Sequence, residues 1–254
     1  MIPITHPKIA AVGLHPRWTA FPGFSLLFDP SGDHLAPAVA GRRILQVHPD
    51  DPAVPFFQRL IQAREALGLK ELAERCGFCA LPAASWHVTV WDGVNAKNVA
   101  GIDPSCRADF AALLAALPGS LDSPLLDGIY DSEGMQGENG RICFRFLRLS
   151  QWKNKVLAME LAPDPASAQA FRELQARRQA LNERFAAQYG IQPAGNILSP
   201  HITLGYFANP GHGARSLSLI EAARAAFSEI MGGERLCFSG MSLYGFTDMA
   251  SFYR

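Results

Sequence analysis

The sequence predicts an α+β protein of two pseudo-duplicated lobes, in which two antiparallel-rich sheets face a central cleft and helices cover the outside. Three observations carry that expectation. Two β-branched and aromatic runs, Trp86-His87-Val88-Thr89-Val90-Trp91 and Pro200-His201-Ile202-Thr203-Leu204-Gly205-Tyr206, share a histidine followed two places later by threonine. An order of helix, His-x-Thr strand, helix and strand occurs twice along the chain. Finally, 254 residues with 48% hydrophobic content are enough for a well-buried core.

Taken in order, residues 1–42 are rich in Pro, Gly and His and read as an N-terminal extension packed on the core, with one strand at Phe24–Phe28 closed by the turn Asp29-Pro30-Ser31-Gly32. The remainder, 43–254, reads as a single bilobal domain. Arg43–Val47 has strand character, and Asp50-Asp51-Pro52 supplies a helix cap followed by proline at the first helical position. Phe56, Phe57, Leu60, Ile61 and Leu67 then recur at helical spacing, predicting an amphipathic helix to about residue 75. The first His-x-Thr strand follows. Asp103-Pro104 opens a helix carrying Phe110, Leu113, Leu114 and Leu117, which Pro118-Gly119 ends. A strand is expected at 121–131 and a firmer one at Arg141–Leu149, with the acidic, Gly-rich stretch 131–140 as the hairpin loop between them.

The order then recurs. Asp164-Pro165 begins a long helix with a stripe of Phe171, Leu174, Leu181 and Phe185, ended by Gly190. After the second His-x-Thr strand, Ser218-Leu219-Ile220-Glu221 has capping-box spacing for a helix that continues through Phe227, Ile230 and Met231 to Gly232-Gly233. A last strand covers about 234–246.

Charge and cysteine usage narrow the function. The 23 basic and 23 acidic residues cancel, so no global field favours long nucleic acids, and duplex DNA is not an expected partner. A small anionic substrate or a nucleic-acid end fits better. Five cysteines without regular spacing suggest reduced thiols and a cytoplasmic setting rather than a disulfide framework. The N-terminus lacks a signal-peptide pattern, and no run approaches the length of a membrane span. A soluble monomer is expected.

The paired histidines point to chemistry. Strand side chains alternate faces, so an ideal strand places His87, Thr89 and Trp91 together, and likewise His201, Thr203, Gly205 and Phe207. Two histidines in one cleft suffice for proton transfer in both directions near neutral pH, one accepting a proton from the nucleophile while the other donates to the leaving oxygen. Histidines on separate strands can flank a substrate, as in-line displacement at phosphorus requires. Thr89 and Thr203 would then hold the non-bridging oxygens. With five threonines in the chain, a given histidine has threonine two places on roughly one time in fifty, so two hits among seven histidines arise by chance at about the one per cent level.

His87-Val88-Thr89-Val90 and His201-Ile202-Thr203-Leu204 resemble the two signatures of the two-histidine phosphoesterase superfamily, which includes RNA 2',3'-cyclic phosphodiesterases and the so-called 2'-5' RNA ligases. The resemblance implies a bilobal fold, a metal-independent reaction without cofactor, and His87, Thr89, His201 and Thr203 in the active site. It also implies a nucleotide or RNA-end substrate carrying a cyclic phosphate. Where the bacterial RNA-ligase-like branch continues its first motif with a Phe-Leu-Gly pattern, this chain has Trp91-Asp92-Gly93-Val94-Asn95, closer to less characterised bacterial branches.

Further candidates surround the motifs. Trp91 and Phe207 are expected on the histidine faces, where they would either stack on a base or close the cleft by packing. Gly205 would leave room for a phosphate or mark a bulge. Arg145, in the basic and aromatic stretch 141–155, is a candidate for a nucleotide tail, set against a solvated strand face. Cys76-Gly77-Phe78-Cys79 has the spacing of a redox or zinc pair but lacks a second ligand pair. His6, His15, His34, His48 and His212 read as surface residues. The expected function is cyclic-phosphate hydrolysis, with a non-catalytic nucleotide or RNA-end binder, or a thiol or metal protein, as alternatives.

Overall fold

The computed structural model describes residues 2–29, 53–119, 121–130 and 137–253. The strand expected at 43–47 and the cap at 50–52 lie outside them. Ten strands are found among the described residues: β1 Ile9–Ala11, β2 Arg17–Trp18, β3 Gly23–Asp29, β4 Phe78–Ala80, β5 Thr89–Asn95, β6 Gly137–Trp152, β7 Val156–Pro163, β8 His201–Phe207, β9 Arg235–Phe246 and β10 Phe252–Tyr253. The α-helices are α1 Ala53–Glu65, α2 Leu69–Cys76, α3 Pro104–Ala115, α4 Asp127–Tyr130, α5 Ala168–Tyr189, α6 Pro210–Arg215 and α7 Leu217–Met231. No helix among the described residues is long and apolar enough to cross a membrane.

All strand pairs are antiparallel, and the fold is α+β. The order β4-β8-β7-β6-β9-β3-β5 is one hydrogen-bonded path of seven strands, and β10, added to β9, makes the sheet eight-stranded. Its two halves are the lobes, and β6 belongs to both. Residues Gly137–Arg145 of β6 pair with β9, while Phe144–Trp152 pair with β7. A single 16-residue strand thus continues from one lobe into the other. The motif strands lie far apart along this path, β5 at one end and β8 next to the other, yet both border one cleft.

Within the stretch read as an extension, β3 is buried along almost its whole length and hydrogen-bonded on both sides, to β5 and β9. Its continuous Gly-Phe-Ser-Leu-Leu-Phe run suits a strand with covered faces. Residues 2–21 pack across the sheet ends. The Thr5 and His6 amides both donate to the Ala208 carbonyl beyond β8, and the Phe21 amide donates to Thr247 beyond β9.

Several local expectations are corrected. The helix expected to run to about 75 breaks at Gly68, whose left-handed backbone (φ 62°) separates α1 from α2. Residues 121–130 are not a strand: Ser123 accepts from the Leu125 amide, Pro124 takes the first helical position, and a 3₁₀ turn runs into α4. A local cap here outweighs β propensity. Residues 137–140 of the expected loop belong to β6. The Ser218–Glu221 capping box is absent, because α7 starts at Leu217 after Ser216, two residues before the position the box requires, and Glu221 pairs instead with Arg224.

Cys143 and Cys237 form a disulfide, against the expectation of reduced thiols. They stand directly opposite each other on β6 and β9, with Cα atoms 4.0 Å apart, a pairing that only the strand register creates. Cys76 and Cys79 are free and buried, and burial pushes the Cys79 thiol up to about 11, the reverse of a reactive thiolate.

Close packing of β4 on β8 depends on Gly205, where an added Cβ would run into the Cys79 carbonyl oxygen and the Phe78 ring. Gly205→Ala is therefore expected to destabilise the protein by about 1–3 kcal/mol in urea unfolding; an unchanged midpoint would contradict this packing.

Candidate active site

The cleft between the lobes has a volume of about 300 Å³, and His87, Thr89, His201 and Thr203 all line it. Each histidine is held in the same way. His87 Nδ1 lies 2.7 Å from the Ser85 carbonyl, and His201 Nδ1 lies 2.8 Å from the Ser199 carbonyl, in both cases two residues upstream. A carbonyl only accepts, so Nδ1 carries the proton and Nε2 is the nitrogen left for a ligand. Neither threonine hydroxyl has a hydrogen-bond partner among the described residues.

Both motif strands carry a β-bulge one residue after the threonine. Leu26 pairs with Trp91 and Leu27 with Thr89, so Val90 has no partner on β3. Likewise Leu157 pairs with Gly205 and Ala158 with Thr203, leaving Leu204 without one on β7. One extra residue reverses the faces of everything after it. Trp91 and Phe207 therefore point away from the cleft and are 0% exposed. Trp91 packs on Phe185 of α5, and Phe207 packs on Phe78. Their expected role in stacking a base is corrected to core packing. The bulge brings Asp92 and Tyr206, each three residues past its threonine, into the cleft instead. Gly205 accommodates the Phe78 ring rather than a phosphate.

The carbonyls of the bulged residues find partners outside the ladder. Leu204 accepts from the Leu81 amide at 2.9 Å, and Val90 accepts from Arg178 Nε at 2.7 Å. Arg178 sits on the buried face of α5, 4% exposed, and its Nη1 also donates to the Gly195 carbonyl. One turn further on, Asn182 exchanges two hydrogen bonds with Ala194. Arg178 and Asn182 thus tie the first motif strand to the loop 191–200 that leads into the second. Neither was singled out in the sequence, although both fall on the apolar stripe of α5, where unmatched polar residues are a signal.

Arg145 is also relocated. It lies 3.9 Å from the Asp164 carboxylate, which Arg235 contacts at 3.1 Å, in a cluster that does not line the cleft.

Electrostatics distinguish the histidines. Burial, reinforced by His201 and Lys8, brings His87 down to about 4, although the Ser85 carbonyl supports its charge. Burial lowers His201 too, but the Ser199 carbonyl, Asp92 and Glu160 oppose the shift. Glu160 pairs directly with His201 across β7 and β8. Burial works against the Glu160 charge, yet hydrogen bonds from Trp152, Ser150 and Arg148 outweigh it and hold the carboxyl below its usual range. Trp152 also packs its ring edge-on against His201, with centroids 4.5 Å apart. Asp92, crowded by the cleft walls, is shifted upward, with the Arg178 charge opposing.

No protein-family model matches the sequence, and no curated protein matches it. Among solved structures, the chain is similar over 97% of its length to a conserved protein of unknown function from Agrobacterium tumefaciens, covering 88% of that chain at 16% identity and a TM-score of 0.55. A fainter similarity, at 9% identity and a TM-score of 0.40, is to Kluyveromyces marxianus Usb1 with uridine monophosphate, covering 91% of this chain and 95% of that one. The first likeness is one of fold.

Replacing Arg178 by Met strands the buried Val90 carbonyl, releases the Gly195 carbonyl and removes the cation beside Asp92. A loss of about 2–5 kcal/mol in urea unfolding is expected. Arg178→Lys should recover only part of it, because an ammonium cannot fork between Val90 and Gly195. Full recovery by lysine would show that charge alone suffices.

Proposed function

We propose that this chain is a phosphoesterase of the two-histidine type that opens a 2',3'-cyclic phosphate or a related cyclic phosphodiester on a nucleotide or RNA end. One observation carries the reading: two histidines, each with Nδ1 held by a backbone carbonyl, leave Nε2 available in one cleft, each accompanied by an unengaged threonine hydroxyl. The resemblance of the two motifs to that superfamily supports it.

The charge asymmetry supports one division of roles. His87, the site with cations for neighbours, is the neutral base; His201, beside Asp92 and Glu160, is the imidazolium acid. His87 Nε2 takes a proton from water as the water oxygen bonds to phosphorus. The bond from phosphorus to one ribose oxygen breaks, and His201 Nε2–H protonates that oxygen, leaving a phosphomonoester beside a free hydroxyl. Thr89 and Thr203 hydrogen-bond the non-bridging oxygens, whose charge grows on the way to the transition state. Proton exchange with solvent resets both imidazoles. Run backwards, the same steps close the ring.

Hydrolysis of 2',3'-cyclic nucleotides and cyclic-phosphate-ended oligonucleotides in EDTA tests this directly. His87→Ala and His201→Ala should each lower kcat by about 10² or more, the scale of a lost general acid or base. Thr89→Val and Thr203→Val should cost about tenfold each, the equivalent of one hydrogen bond. Turnover indifferent to either histidine would overturn the reading, and binding without turnover would leave a nucleotide-binding protein.

The pH profile of kcat/KM should be a bell on the acid side of neutrality. Its acid limb lies near 4, where the His87 base becomes protonated, and its alkaline limb falls where His201 loses its proton, below the ordinary histidine value. Asp92→Asn removes a charge that favours the His201 proton, so the alkaline limb should move to lower pH. An alkaline limb that stays in place would show that His201 is not the group titrating there.

A further inference from the structure

A second cavity, of about 250 Å³, adjoins the catalytic cleft and shares Lys8, Phe21 and Tyr206 with it as walls. Its other charged or ionisable lining groups are Lys97, Lys155 and His6, and no carboxylate lines it. Three ammonium groups therefore converge without an ion-pair partner among the described residues. Lys8 is fixed at the junction. Its Nζ lies 3.4 Å from the Tyr206 hydroxyl and is seated over the rings of Phe21 and Tyr206, at 4.9 and 5.0 Å. Like charges lining one cavity repel one another unless an anion joins them.

We propose that this pocket binds a second phosphate of the substrate, the one on the 5' oxygen of the nucleotide whose cyclic phosphate occupies the catalytic cleft. The proposal rests on the phosphoesterase reading for the reacting end. His6 fits the same role. Its Nδ1 accepts from the Lys8 amide at 3.3 Å, which leaves Nε2–H as a donor. Burial and the charges of Lys8 and Lys155 bring His6 down to about 4, as a positive, anion-seeking pocket would.

The same observations give the N-terminal segment a function. Residues 5–8 form one wall of the pocket. They are pinned by the Thr5 and His6 amides on Ala208, and by Asn209 Nδ2 donating to the Pro3 carbonyl. Lys97 comes from the turn after β5 and Lys155 from the turn between β6 and β7, so three separate segments contribute one cation each. Such an arrangement would favour nucleotides bearing a 5'-phosphate, whether free or as the preceding linkage of an RNA chain, over those with a 5'-hydroxyl.

The test is calorimetric binding of three probes at low salt: a nucleoside 3'-monophosphate, the corresponding 3',5'-bisphosphate, and a dinucleotide ending in a 3'-phosphate. The wild-type protein should bind the bisphosphate at least about tenfold more tightly than the monophosphate, a difference of ~1.4 kcal/mol. The preference should shrink as salt rises. In Lys97→Ala/Lys155→Ala the ratio should collapse towards one. Equal binding of mono- and bisphosphate by wild type, or equal loss on both in the double variant, would overturn the proposal. The dinucleotide separates the sources: preference for it as well points to an RNA chain, and preference for the bisphosphate alone points to a free 5'-phosphate. Because binding is read rather than turnover, a catalytically inert protein still tests the pocket. Conversely, an active enzyme indifferent to the 5'-phosphate would sink the subsite and leave the phosphoesterase reading standing.

Discussion

The carbonyl of Val90 cannot be satisfied within its own sheet, and much of the site depends on how that is resolved. A bulge leaves the residue without a partner on β3, so its oxygen must find a donor elsewhere or remain buried and unpaired. Arg178 supplies that donor from α5 and spends a second N–H on Gly195, in the loop before the other motif. A guanidinium suits the task because its fork reaches two acceptors in fixed directions. The result couples the two halves of the cleft through one buried side chain: the first motif strand cannot shift without pulling on the segment that presents His201.

The bulges also divide labour along each motif strand. Before the extra residue, the histidine and threonine face the cleft; after it, the aromatic residue that would have followed them turns into the core and its neighbour turns in. Trp91 and Phe207 thereby become packing for α5 and β4, while Asp92 and Tyr206 enter the cleft. The two copies are alike in backbone and unlike in charge. Asp92 and the anchored Glu160 sit near His201, whereas Lys8 lies on the side of His87. A pseudo-symmetric frame thus carries an unsymmetric pair of imidazoles.

At a larger scale the cleft exists because the lobes share a strand. β6 pairs with β9 through its first half and with β7 through its second, and Cys143–Cys237 bonds it covalently to β9. The N-terminal segment spans both lobes at the cleft edge, reaching Ala208 beyond β8 and Thr247 beyond β9. Lys8, carried by this segment, stands where the two cavities meet.

The sequence by itself determined the repeated His-x-Thr motif, the α+β character, the long helix at 168–189 and the strands around 141–149 and 234–246, because each rests on local periodicity or on residue types with few alternatives. That His87 and His201 would line one cleft was legible too, through repetition. What only the tertiary structure decided involves register and distance. A bulge changes no residue type, so the alternation that placed Trp91 and Phe207 beside the histidines could not reveal that each strand slips by one residue. Cys143 and Cys237, 94 residues apart in the chain, meet only because β6 and β9 pair in one register. Arg178, Lys8 and Lys97 are singled out by no local pattern, and Lys155 only as the end of the basic stretch 141–155. Their neighbours are set by positions in space that short-range patterns do not encode, since the packing that fixes the backbone brings together segments far apart in the chain.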